Sequence, residues 1–177
     1  MKILKFLLLS ILGLIVVGLI AAAFTKKDYI VEKEITINRP RQEVYDYVKY
    51  LKNQNDYSYW ASLDSSMQKT FTGTDATVGF VSAWKGNKEV GEGEQQIIKI
   101  DAGKRIDYEL RFKEPMESTG NAFMSVEESG PSATKVKWAM YGRNKFPMNI
   151  MNPFLNGMIG DDLEIGLGNL KKKLESR

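Results

Sequence analysis

Apolar residues fall at three different spacings along this chain. Phe6 to Phe24 is a run of nineteen residues without a charge, interrupted only by Ser10, Gly13 and Gly18. From Tyr29 the period becomes two. Tyr29, Val31, Ile35 and Ile37 alternate with Ile30, Glu32, Glu34 and Thr36, which predicts a strand. Asn38-Arg39-Pro40 predicts a helix start with proline in the first position, followed by an apolar stripe of Val44, Val48 and Leu51. A polar and aromatic stretch from Asn53 to Trp60 predicts a short helix or turn. The period of two then returns in Met67–Phe71, Val78–Trp84, Glu92–Asp101, Arg105–Phe112, Ser118–Glu128 and Lys135–Met140, with hairpin-length connections. Its clearest stretch puts Ile106, Tyr108, Leu110 and Phe112 on one face and Arg105, Asp107, Glu109 and Arg111 on the other. Finally Ile159, Leu163, Leu167, Leu170 and Leu174 recur at helical spacing. The pattern predicts an α+β fold: a mostly antiparallel sheet of about seven strands with one wet face, and a long C-terminal helix whose stripe must be buried on that sheet.

The first run is a separate object, so the chain divides into residues 1–25 and a domain of residues 26–177. As a helix, Phe6–Phe24 would be about 28 Å long, close to the ~30 Å hydrocarbon core of a bilayer. Lys2 and Lys5 precede it and Lys26 and Lys27 follow. An uncleaved, single-pass membrane anchor is the expectation. A signal peptide is the alternative, carried by the basic start and by Ala21-Ala22-Ala23 at the place of a cleavage site. Two lysines on each side leave little bias for orientation; the free amino group tilts it toward an extracytoplasmic domain.

Composition narrows the chemistry more by its zeros than by its content. There is no cysteine and no histidine. Disulfides, thiolate metal sites and every catalytic constellation built on Cys or His are thereby excluded, and proton transfer is left to Asp, Glu, Lys, Tyr and Arg. Setting aside Lys2 and Lys5, the 25 basic residues fall to 23 against 22 acidic ones. The domain is near neutral, with no polybasic stripe, and no nucleic-acid partner is expected. Asp161-Asp162 without further convergent carboxylates is no metal site, and Gly91-x-Gly93 lacks the strand–loop–helix setting of a phosphate loop. No metal or cofactor is expected.

Five stretches, taken in order, resemble one family. They are Glu34–Val48 (EITINRPRQEVYDYV), Tyr59–Met67 (YWASLDSSM), Val78–Ile97 (VGFVSAWKGNKEVGEGEQQI), Ala133–Gly142 (ATKVKWAMYG) and Gly166–Glu175 (GLGNLKKKLE). They resemble the START/polyketide-cyclase-like superfamily, in its bacterial polyketide cyclase/dehydrase-like branch. The resemblance covers about residues 29 to 175 and implies a helix-grip fold, in which a curved antiparallel sheet wraps a long C-terminal helix around a cavity. It says less about chemistry, because that fold hosts carriers, cyclases, hydrolases and chaperone-cofactor modules alike.

A cavity also follows from the residues themselves. The inward faces carry large, soft side chains, and the candidate ligand-binding set is Trp84, Tyr108, Phe112, Met124, Trp138, Met140 and Met158. Met and aromatic residues suit adaptable binding of apolar ligands; simple core filling is the competing explanation for each. Phe146–Leu155, apolar but broken by two prolines and two asparagines, is a candidate lid or mouth. Gly160, Gly166 and Gly168 either bring the last helix close to the sheet or leave space beneath it. If Ile98 and Ile100 face inward, strand parity turns Glu94 inward as well, making it the candidate polar contact or general acid/base. The expected function is a membrane-tethered module binding a lipid or other hydrophobic small molecule. The alternatives are a cyclase/dehydratase-like enzyme on an apolar substrate, for which no catalytic set stands out, and an interaction module resembling the activators of chaperone ATPases. Ligand identity and oligomeric state are not legible.

Overall fold

The computed structural model describes residues 2–176; Met1 and Arg177, the outer ends of the two expected segments, lie outside the described residues. The apolar run forms one helix, α1 (Lys2–Phe24), almost wholly exposed except at Ala22. The alternating stretches form seven strands: β1 (Asp28–Ile37), β2 (Gln68–Thr72), β3 (Val81–Lys85), β4 (Glu92–Asp101), β5 (Arg105–Glu114), β6 (Ser118–Gly130) and β7 (Ala133–Arg143). They make one antiparallel sheet in the order β1-β7-β6-β5-β4-β3-β2. Between β1 and β2 lie α2 (Arg41–Val48), a 3₁₀ turn (Leu51–Asp56) and the single-turn α3 (Tyr59–Ser62). A second 3₁₀ segment, Met148–Phe154, leads into α4 (Leu155–Glu175). This is the α+β architecture that the spacing predicts, arranged as the helix-grip fold that the resemblance implies.

Two boundaries differ from expectation for local reasons. Pro40 caps α2 from outside, because its ψ of 144° is extended and not helical. β3 begins at Val81 and not at Val78, because Gly79 has a φ of +95° that no strand accommodates.

The stripe of α4 is buried as its spacing requires: Leu163, Leu167, Leu170 and Leu174 are all at most 1% exposed. They meet Val31, Ile37, Ile106, Met124, Val126 and Val136 from the sheet and Val44, Val48 and Leu51 from the helical connection, in one continuous core. Burying such a side chain contributes about 1.5–3 kcal/mol, and this contact holds helix and sheet together. Gly166 answers the question its position raises. A Cβ there would lie 2.8 Å from the Trp138 ring, so this glycine brings helix and tryptophan into contact. Gly168 faces open space.

Candidate functional site

A cavity of about 280 Å³ opens between the sheet and the helical elements. It lies in the half of the sheet where β1 starts and β7 ends, and each wall has a local cause. Trp84 pairs with Gly93 across β3 and β4, and Gly93 pairs with Phe112 across β4 and β5. A Cβ at Gly93 would stand 2.6 Å from the Trp84 ring, so glycine lets the indole lie down over β4. Trp84 then meets Phe112 edge-on, with ring centroids 6.0 Å apart. The opposite wall is a second aromatic group. Trp138 is contacted edge-on by Tyr57 at 5.8 Å and by Trp60 at 6.0 Å. Met140, Leu110, Ala122 and Ile159 complete the apolar lining, and Met67, Lys69 and Val90 stand at the rim.

One polar side chain comes from deep in the sheet. Gln95 is 8% exposed, lines the cavity, and its amide makes no hydrogen bond to the described residues. The amide lies open to the cavity, since no atom of it is among the fully buried polar atoms that lack a partner, and so it can meet a polar atom of a ligand. Among the described residues no carboxylate lines the cavity.

Glu94 does not turn inward. The register of β4 slips between Ile97 and Lys99, leaving Ile98 exposed. One extra residue inverts the facing of everything before it, so Gly93, Gln95 and Ile97 face in and Glu94 faces out. There Glu94 accepts a 2.6 Å hydrogen bond from Arg111, which also donates to Gln96 and Glu109. Strand parity fails here because β4 is not regular, and the polar side chain that faces in is Gln95.

The other candidates divide. Trp84, Phe112, Trp138 and Met140 line the cavity. Tyr108 and Met124 lie in the core beneath it, 2% and 1% exposed. The Met124 sulfur accepts the Tyr57 hydroxyl at 3.7 Å. Burial holds the phenols of Tyr57 and Tyr108 far above their ordinary range, so neither is a source of phenolate. Met158 is 57% exposed on the outside of α4 and lines nothing. The expected lid, Phe146–Leu155, contributes no lining residue either.

The rim is tied by one carboxylate. Asp64 accepts both the backbone N–H and the hydroxyl of Ser66 on one oxygen and the backbone N–H of Asn87 on the other. This joins the segment before β2 to the β3–β4 connection, next to Met67 and Val90. These three donors hold the Asp64 carboxyl below its usual range. On α4, burial and the neighbouring Asp161 push the Asp162 carboxyl upward.

Comparison with known proteins decides the family. The model of the family described as polyketide cyclase / dehydrase and lipid transport matches residues 29–175. The chain belongs to this family. Membership supports a module for hydrophobic ligands, in agreement with the apolar lining. Among curated proteins no sequence matches. Solved structures share the fold. Norcoclaurine synthase from Thalictrum flavum is 11% identical with a TM-score of 0.66, over 85% of this chain and 95% of that one. A protein from Nitrosospira multiformis is 18% identical with a TM-score of 0.56, over 82% and 95%. A protein from Rhizobium leguminosarum is 16% identical with a TM-score of 0.59, over 85% and 97%. At such identities the likeness is one of architecture. What this member of the polyketide cyclase / dehydrase and lipid transport family can hold is therefore read from its own lining, Gln95 included.

Proposed function

We propose that this protein is a membrane-tethered binding module, with residues 1–25 as the anchor and residues 26–177 as the domain that holds a small amphipathic molecule. The carrying observation is the pairing of an apolar, aromatic-walled cavity with the Gln95 amide, which faces into it from the sheet. The volume of about 280 Å³ sits at the lower edge of the ~300–1,000 Å³ of small-molecule sites, which suits one ring system or one end of a longer lipid. Its apolar body would contact Trp84, Phe112 and Met140, and one hydroxyl, carbonyl or amide would meet Gln95. Binding without chemistry is preferred because the lining offers the amides of Gln54, Asn55 and Gln95, hydroxyls and Lys69 at the rim but no carboxylate to move a proton. A norcoclaurine synthase structure holds dopamine and hydroxybenzaldehyde, so this architecture accommodates small aromatic molecules in that enzyme.

Photolabelling of the full-length protein with a small aryl diazirine tests the reading. Saturable labelling at Trp84, Phe112 and Met140 is expected, and Met140→Trp should remove it by filling the space. Labelling confined to α1 would refute the cavity site. Gln95→Leu should weaken capture of hydroxylated competitors about tenfold while leaving purely hydrocarbon ones unchanged, as the loss of one hydrogen bond in a buried site predicts.

A further inference from the structure

The two asparagines that break the Phe146–Leu155 stretch are not there to interrupt a helix. Asn149 is fully buried, and its amide nitrogen donates to the carbonyls of Ala22 at 2.6 Å and Thr25 at 2.7 Å. Asn152 donates to the carbonyls of Lys26 at 2.8 Å and Lys27 at 2.9 Å, and accepts from Asn144. The backbone N–H of Asn144 donates to Lys27 as well. The last carbonyls of a helix have no partner within it. Here the domain reaches one of them, that of Ala22, and holds the carbonyls of Thr25, Lys26 and Lys27 just beyond the helix, so α1 leaves the domain on a fixed mount and not on a flexible linker.

The mount also sets a depth. Ile150 packs 3.9 Å from the position a Cβ would take on Gly18. Gly18 lies six residues before Phe24, or about 9 Å along the helix. The Met148–Phe154 segment therefore runs alongside the apolar length of α1 and does not stop at its end. Its outer surface is apolar and open: Phe146, Met148, Met151, Phe154 and Met158 are each 37–61% exposed. Exposed Lys26, Lys27 and Lys145 border it. A helix that spans a bilayer and carries this collar about 9 Å inside its end would hold those side chains at the acyl–headgroup boundary, where interfacial segments sit ~5–10 Å deep. The lysines would lie among the headgroups, favouring anionic lipid.

We infer that the Phe146–Met158 surface is a seat in the lipid bilayer, held at fixed depth by the Asn149–Asn152 mount on α1. The occupant is the phospholipid of the membrane that α1 crosses, and the inference rests on that part of the proposed function. The seat turns the cavity's end of the sheet toward the lipid, because Met140 and Phe112 lie in the same half as the first residues of β1.

The absence of cysteine makes the test clean, since each introduced thiol is unique. Met151→Cys, Phe154→Cys and Met158→Cys, with Glu127→Cys at the far end of β6, are labelled with an environment-sensitive fluorophore. Each full-length protein is placed in vesicles of phosphatidylcholine with a minority of phosphatidylglycerol. Quenching by shallow spin-labelled lipid several-fold stronger at the first three sites than at Glu127→Cys is expected. Adding Asn149→Ala and Asn152→Ala to Phe154→Cys should cut that quenching at least by half. Water-like emission at all sites, in protein that resists carbonate extraction, would overturn the seat while leaving the anchor intact. A blue shift without lipid quenching would mean that protein covers the patch, and would overturn it too. Unchanged quenching in the asparagine variant would overturn the mount. None of these outcomes depends on whether the cavity takes up the diazirine.

Discussion

The sheet meets α4 differently at its two ends. Toward the C-terminus of the helix, Leu167, Leu170 and Leu174 pack with Ile37, Val126 and Val136, all 2% exposed or less. Toward its N-terminus, Ile159 faces Met140, Ala122 and Phe112 across open space. The residues explain the contrast. The closed end sets branched or leucine side chains against each other at every turn. The open end sets small residues (Gly93, Ala122, Ser82) beside large ones (Trp84, Phe112), which lean on one another along the wall and do not fill the middle. Close packing and open space thus occupy different halves of one interface, and substitutions can address each half separately.

The largest effect should come from the closed half. Leu170→Ala, at a fully buried site, should cost about 2–5 kcal/mol, read as a lower denaturant midpoint of the full-length protein. Ile159→Ala, beside space that already exists, should cost clearly less than Leu170→Ala. Equal losses would mean that the open end is filled in solution. Next come two of the four glycines of α4, Gly166 and Gly168, which look alike in sequence. Gly166→Ala forces the Trp138 ring to move and should destabilise by about 1–3 kcal/mol despite better helix propensity. Gly168→Ala meets nothing and should stabilise by up to ~1 kcal/mol. Thermal unfolding of the pair decides it, and the same sign for both would show that helix and Trp138 are not in contact.

The smallest effect should be on pH. Asp64, Glu92 and Glu175 all carry carboxyls held below their ordinary values by hydrogen bonds from Ser66, Lys85 and Asn38 respectively. A carboxyl depressed in the folded state adds stability above its unfolded pKa, near 4, and loses it as pH falls through the lower folded value. Below about pH 4 the rim around Asp64 should loosen first, seen as faster proteolysis at Asn87–Glu89 with the helix signal unchanged. An Asp64→Asn variant should cleave fast at neutral pH and lose the pH dependence.

How far the sequence carried this picture depended on regularity. Strands that alternate cleanly, such as β5, and a helix with leucine at three and four were placed with their faces, and the family followed from motifs in order. The cavity residues on regular strands, Trp84, Phe112, Trp138 and Met140, were legible for the same reason. Gln95 was hidden because the slip at Ile97–Lys99 has no proline or glycine to mark it. Glu94 was chosen in its place. Phe146–Leu155 reads as a lid because it is apolar and broken by prolines and asparagines, whereas the carbonyls that accept from Asn149 lie at the other end of the chain, where no local pattern points to them.

That separation has a consequence for how the protein is made. Ala22 and Asn149 are 127 residues apart. At about 5–20 residues per second, a ribosome needs roughly 6–25 s to add that length. On the membrane-spanning reading, α1 enters the bilayer and waits through that interval with only the local bonds of Thr25 at its end. A chain that stops before residue 149 keeps the anchor and lacks its mount, so the joint between membrane and domain is among the last things translation completes.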